Sequence, residues 1–233
     1  MDRFASRENG GKYLHIPHGA FDSPAILPES NAQDLLFFST LAPFKGLELL
    51  LKAYAELKQE YPYLQLTIAG AEHFRFPDYL QEIRSKYEQL NSVRWLGVVK
   101  EEGLEEMFQR TQVVILPYQA STGSSSVLIR AATWGRSIIV SDLPEIQTFV
   151  NEMGLNVTFF ENGNQQSLKR AIKAHLNSSE LRREQAAKNL SAVKNNRLEV
   201  IRHAYLNAFN QALEIHYSPK RIEIPPLLSS ELS

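Results

Sequence analysis

Short runs rich in Leu, Ile, Val and Phe recur along the chain, and their spacing constrains the fold more than any other feature. They are KYLHI (12–16), LLFFS (35–39), LQLTIAG (64–70), VRWLG (93–97), VVILP (113–117), SIIVS (137–141) and NVTFF (156–160). Each has the length and β-branched or aromatic content of a strand. Between them lie segments whose apolar residues fall three and four apart, as in 46–61, where Leu47, Leu50, Leu51 and Tyr54 share one helical face. Further helices are predicted over 78–90, 102–110, 125–134, 144–152 and 165–177. Alternating strands and helices imply parallel strands joined by right-handed crossovers. Nearly unbroken apolar strands imply a sheet covered on both sides. The expected fold class is therefore α/β, a Rossmann-like doubly wound parallel sheet with helices on both faces.

After residue 179 the pattern is helical to about 217, with a break predicted near Asn195 and Asn196. The last helix offers an apolar face of Ile201, Tyr205, Ala208, Phe209 and Ala212. The expected organisation is a flexible lead over 1–11, one Rossmann-like domain with C-terminal helices over 12–217, and a disordered, proline-containing tail over 218–233.

Composition narrows the function. Lys and Arg total 25 against 26 Asp and Glu, so no global field draws the chain onto nucleic acid, and any anion site must be local. Cysteine is absent, which removes thiolate catalysis, thiolate metal sites and disulfides. The first residues lack an apolar core of signal-peptide length, so a cytoplasmic protein is expected. The sequons at Asn156, Asn177 and Asn189 then read as chance matches. His15 and His18 invite a metal reading, but one lies on a predicted strand and the other in the turn after it, and no metal is expected. The NGGKYL segment has Tyr13 where a P-loop needs Ser or Thr, no G-x-G-x-x-G follows a strand, and no D-x-D pair occurs.

In open α/β sheets ligands bind beyond the carboxyl ends of the strands. Among the loops found there, 120–126 is unusual for its run of small residues, Ser121, Thr122, Gly123, Ser124, Ser125 and Ser126. A helix starting near Ser125 presents unpaired N–H groups and a partial positive charge, and Gly123 lets the backbone come close to an anion. Thr122, Ser124 and Ser125 add hydroxyl donors. Simple helix capping is the plainer reading of the same residues. Lys45, just before another helix, is positioned to reach the same crevice.

Taken together, the segments IPHGAFD, LLFFSTLAPFKGLELLLKAYAEL, LTIAG, VRWLGVVKEEGLEEMFQRTQVVILPY, TGSSSVLIRAATWGRSIIVSDLPEI and NQQSLKRAI resemble the carboxy-terminal domain of family 4 (group 1) glycosyltransferases. The resemblance runs in order from about residue 12 to 178. It implies one half of a GT-B fold, in which two Rossmann-like domains face a cleft and this half holds a nucleotide-sugar donor of UDP or GDP type, with no separate cofactor. It further implies that Lys45 contacts the donor diphosphate, that Gly123, Ser124 and Ser125 cradle it, and that Gly97, Val98 and Val99 read the base through main-chain groups. His18 and Gly19 correspond to the turn lining the cleft near the sugar, and Glu145 to a cleft glutamate.

The chain departs from the family pattern in three places. Thr40 stands where many members carry an arginine in G-R-L-x-x-x-K-G. Thr122 and Arg130 replace two glutamates, the second of which usually holds the ribose. Arginine donates hydrogen bonds only, so the expectation is that Arg130 turns toward phosphate and compensates for Thr40. The acceptor half would need roughly another 150 residues. It is expected to come from a missing acceptor domain or a partner chain, and the last helix is a candidate surface for that contact or for self-association. The leading expectation is the donor-binding domain of a retaining glycosyltransferase in cytoplasmic glycan or polysaccharide synthesis, peripheral to the inner membrane face and inactive alone. A degenerate scaffold module and a sugar-nucleotide epimerase are the rivals.

Overall fold

The computed structural model describes residues 5–8, 11–14, 16–20, 34–121 and 124–216. Six of the apolar runs form one parallel sheet: β3 (Asp34–Phe38), β4 (Gln65–Ala69), β5 (Val93–Gly97), β6 (Val113–Leu116), β7 (Ser137–Ser141) and β8 (Thr158–Phe160). Their spatial order is β5-β4-β3-β6-β7-β8. The chain thus starts mid-sheet, winds outward to β5, returns to the far side of β3 and winds outward again. Such a reversal opens a crevice at the carboxyl ends of the two central strands, here β3 and β6.

The run at 12–16 does not join this sheet, which corrects the sequence expectation. Instead β2 (Gly11–Leu14) pairs antiparallel with β1 (Ala5–Glu8), Ala5 opposite Leu14, in a separate two-stranded sheet. Part of the segment expected to be an irregular lead is therefore a strand. The Asn9-Gly10 dipeptide between the two is a strong hairpin signal that periodicity alone passes over. The predicted tail at 218–233 lies outside the described residues, as do Thr122 and Gly123.

Among the described residues eight α-helices connect and cover the strands: α1 (Leu47–Glu60), α2 (Tyr79–Lys86), α3 (Glu101–Arg110), α4 (Ser126–Thr133), α5 (Pro144–Met153), α6 (Gln165–Asn177), α7 (Ser179–Lys194) and α8 (Leu198–His216). Successive strand side chains point to opposite faces, so each apolar run feeds two cores. On one face Leu36, Val114, Leu116, Ile138 and Val140 pack with Phe108, Leu128, Ile129, Ile146 and Phe149 of α3, α4 and α5. On the other, Leu35, Phe37, Leu66, Ile68, Val113 and Ile115 pack with Leu50, Tyr54 and Leu57 of α1 and with Leu168 and Ile172 of α6. This division explains why the central strands carry no polar alternation.

The break predicted at Asn195 and Asn196 is present between α7 and α8, and it serves to hold another segment. Asn196 Nδ2 donates to the carbonyls of Met153 and Ala192 at 3.2 and 2.9 Å. Its own carbonyl accepts from Ala20 N at 2.7 Å, and Ala20 bridges to Arg197. The segment 16–20 is thereby fixed beside the carboxyl end of the sheet. The apolar face expected on α8 divides: Ile201 and Ala204 are buried, while Tyr205 and Phe209 are exposed with their rings 6.5 Å apart.

Candidate functional site

The loops leaving β3 and β6 meet at the switch point, and backbone geometry forces them together. Gly46 ends the 3-10 turn Pro43–Lys45 with φ of 73°, and a Cβ there would lie 1.7 Å from the Pro117 carbonyl oxygen. Only glycine fits so close an approach with a left-handed φ. From the other loop, Gln119 N and Ala120 N donate to the Phe44 carbonyl at 2.9 and 3.4 Å. The crevice floor is therefore stitched by main chain, independent of side-chain identity.

Lys45 is half-buried at this junction. Its Nζ lies 4.2 Å from the centre of the Tyr118 ring and 5.6 Å from that of Phe44. Burial pushes its ammonium below the usual lysine range. Among the described residues no carboxylate forms an ion pair with it, so the partly desolvated charge is met by ring faces. Tyr118 is 2 % exposed, and its hydroxyl lies 3.3 Å from Ser125 Oγ. Ser125 is the N-cap of α4, accepting from Leu128 N. A continuous path of contacts thus runs from the lysine through the tyrosine to the N-terminus of a helix, where backbone N–H groups and the helix dipole favour negative charge.

The capping reading of the small-residue loop therefore holds for Ser125, whose hydroxyl is buried and engaged. Ser124 and Ser126 are exposed. Tyr118 is the member that sequence reasoning missed. It ends a run of apolar residues and looked like one more of them, and the only signal was a phenol following Pro117 directly at a strand's carboxyl end.

A hollow of about 350 Å³ adjoins the crevice on the β7 side, lined by Pro17, His18, Ser124, Glu145, Thr148 and Phe149 among others. Three residues selected from the sequence, distant from one another in the chain, thus share one cavity. His18 Nδ1 lies 2.7 Å from the Gly19 carbonyl, which can only accept, so Nδ1 carries the proton and Nε2 of the neutral ring is the acceptor. A larger hollow of about 650 Å³ lies behind, between α5 and α7, lined by Asn151, Asn156, Lys188 and Asn195. Neither hollow includes Lys45, but the smaller one reaches Ser124 beside the α4 N-cap, whereas the larger one does not.

On the opposite side of the crevice, Gly70 N donates to the Gly97 carbonyl at 2.7 Å, setting the loops after β4 and β5 side by side. Val98 is exposed there and Val99 packs against the core. Thr40 is exposed at the start of the Lys45 loop. Arg130, expected to turn toward phosphate, places its Nη1 2.6 Å from Glu101 Oε1 at the start of α3. The arginine side chain is 16 % exposed and the glutamate 72 %, so the carboxylate is the more accessible member of the pair. Among the described residues no cluster of three or more His, Asp or Glu is placed to hold a metal ion. No helix among them is long and apolar enough to cross a membrane.

A doubly wound sheet with a cationic, helix-terminated crevice at its switch point is the arrangement at which open α/β sheets take their ligands. The family model described as glycosyl transferases group 1 matches residues 21–190, and the chain belongs to that family. No curated protein sequence matches it significantly. Among solved structures, it resembles Anabaena Alr3699/HepE in complex with UDP-glucose at a TM-score of 0.67 and 20 % identity, covering 78 % of this chain and 49 % of that one. The pneumococcal O-GlcNAc transferase GtfA in complex with UDP and GlcNAc matches at 0.68 and 19 %, covering 86 % and 40 %. A glycosyltransferase from Rickettsia africae matches at 0.68 and 16 %, covering 79 % and 49 %. The chain spans half or less of the length of each of these structures.

Proposed function

We propose that this chain is the donor-binding half of a retaining glycosyltransferase, taking a nucleoside diphosphate sugar. The observation that carries the reading is Lys45, a desolvated cation over Tyr118 within one contact path of the α4 N-terminus. Both groups address the diphosphate. When the bond from the sugar's anomeric carbon to the diphosphate oxygen breaks, the leaving group gains negative charge, and a fixed cation and helix N-terminus stabilise that charge without reorganisation. The hollow formed by His18, Ser124, Glu145 and Thr148 suits a hydroxylated sugar. An acceptor oxygen must then approach the anomeric carbon, and orienting it is the task of a second half or partner chain. Alone, the chain is expected to bind donor without transferring sugar. Cytoplasmic glycan or polysaccharide assembly at the inner membrane face is the setting that fits this reading.

Calorimetric titration with UDP-, GDP- and ADP-sugars, without added metal, tests it beside Lys45→Ala. Saturable binding of one nucleotide sugar, weakened at least about tenfold in the variant, is the expected result, the loss of a charge-assisted contact being worth roughly 1.5–3 kcal/mol. One observation favours a second reading, a binding module that has lost the donor. Arg130 donates to Glu101, so the position that holds a ribose-binding carboxylate in the family pattern carries a donor engaged in an ion pair. No binding across the whole panel would select that reading.

A further inference from the structure

A second aromatic feature adjoins Lys45 on the side away from the His18 hollow. The loop after β4 carries His73, Phe74, Arg75 and Phe76, and Phe74 is 81 % exposed. Its ring is stacked on His73 at 4.8 Å and 18°, and the Arg75 guanidinium lies 5.3 Å from its centre. His73 in turn meets Phe44 edge-on at 5.7 Å, and Phe44 lies under Lys45. Ring contacts therefore run without interruption from the cation of the crevice to an open aromatic face.

Main chain holds this loop in place. Leu41 N donates to the Ala71 carbonyl at 2.7 Å, His73 N donates to the Leu41 carbonyl at 3.1 Å, and Leu41 bridges to Glu72. The loop is thus tied to the segment that carries Lys45. Arg75 N donates to His73 Nδ1 at 3.2 Å, which fixes the imidazole that supports Phe74. A single exposed ring is ordinary, but this one is stacked on an imidazole that contacts the ring beneath the crevice cation, and it presents a flat π-face to solvent.

We propose that Phe74, backed by His73 and flanked by Arg75, is the stacking platform for the nucleobase of the donor. The proposal rests on the donor-binding reading above and adds the residue that grips the base. A nucleotide sugar is linear, with the diphosphate between sugar and nucleoside. With the diphosphate at the Lys45 crevice, one end meets the hollow of His18, Ser124, Glu145 and Thr148, whose polar groups suit hydroxyls. The other end meets flat π-faces and a cation, which suit a planar base and impose little choice between bases. Val98, exposed in the neighbouring loop after β5, offers main-chain hydrogen-bonding groups on the same side.

Calorimetry with UDP, GDP, ADP, UDP-glucose and inorganic diphosphate on the full chain, Phe74→Ala, Phe74→Tyr and Lys45→Ala tests the assignment. Phe74 is exposed, so its replacement leaves the fold intact, which circular dichroism checks. Loss of one base–aromatic stack weakens nucleoside diphosphate binding about tenfold or more in Phe74→Ala. Inorganic diphosphate affinity stays unchanged in that variant, Phe74→Tyr retains nucleotide affinity, and Lys45→Ala weakens every ligand. Equal weakening of UDP and inorganic diphosphate by Phe74→Ala would overturn the platform, as would an unchanged UDP affinity. Weakening of UDP-glucose with UDP unaffected would move the stack to the sugar and likewise overturn it. If the unchanged chain binds no nucleoside diphosphate, the donor-binding reading itself fails, an outcome separate from these.

Discussion

Tyr118 shows how one side chain serves both packing and charge. Its ring fills the space beneath Lys45, and its hydroxyl reaches the cap of α4. Tyr118→Phe keeps the ring and is expected to hold nucleoside diphosphate affinity within about threefold while costing about 1 kcal/mol in stability, the usual net worth of a hydrogen bond. Tyr118→Leu removes the ring face and is expected to lower affinity about tenfold, matching a cation–π contact of 1–2 kcal/mol. Calorimetry and urea unfolding on both variants separate the two effects. Gly46→Ala is more severe, because the left-handed φ alone costs about 1–3 kcal/mol and the added methyl meets the Pro117 carbonyl. Its expected signature is a lowered unfolding midpoint together with loss of diphosphate binding. At this scale Lys45 was selected only through its pairing with the small-residue loop, a lysine at a loop end being by itself an ordinary solvated charge. Tyr118 and Phe74 were not, since sequence does not tell a buried ring from an exposed one.

The elements α6 and α7 are joined to β7 and β8 by a buried polar network that makes stability depend on pH. His175 Nδ1 donates to Ser137 Oγ at 2.7 Å, and Ser137 donates to Gln185 Oε1 at 2.8 Å, which also accepts from Ile138 N. Thr158 donates to His175 Nε2 at 2.7 Å and accepts from Gln185 Nε2 at 3.0 Å. Every site of the neutral imidazole is thus used. Burial, assisted by the nearby Arg182 charge, lowers the His175 pKa from 6.5 to about 4. The unfolded chain takes up a proton as pH falls through 6.5, whereas the folded one resists until about 4. Stability attached to this group is therefore complete above pH 6.5 and declines between 6.5 and 4, by about 3 kcal/mol at 1.36 kcal/mol per pKa unit. Urea midpoints measured between pH 7 and 5 are expected to fall in the unchanged chain and to flatten in His175→Gln. The helices themselves were predictable from their periodicity and caps. Their joining was not, because residues 137, 158, 175 and 185 meet only after the chain has doubled back.

Across the whole molecule, the crevice lies between halves of the sheet whose cores share the same strands, so ligand binding and global stability are coupled. A nucleoside diphosphate at a hundredfold excess over its Kd is expected to raise stability by about 2.7 kcal/mol, read as an upward shift of the thermal midpoint. The shift should vanish in Lys45→Ala. Phe37→Ala, in the core beneath α1, is expected to cost about 3–5 kcal/mol and lower that midpoint without altering affinity at constant temperature. The sequence by itself determined the parallel α/β class, the run of strands from 35 to 160 and the loops from which a site could be built. Apolar period and turn chemistry are local, and they survive in a linear reading. Only the tertiary structure decided that β3 and β6 are neighbours, that the 12–16 run leaves the main sheet, that Arg130 meets Glu101, and that His18, Ser124 and Glu145 share one hollow. Those outcomes depend on which surfaces remain to be buried once the crossovers have closed, and that information is spread over the whole chain.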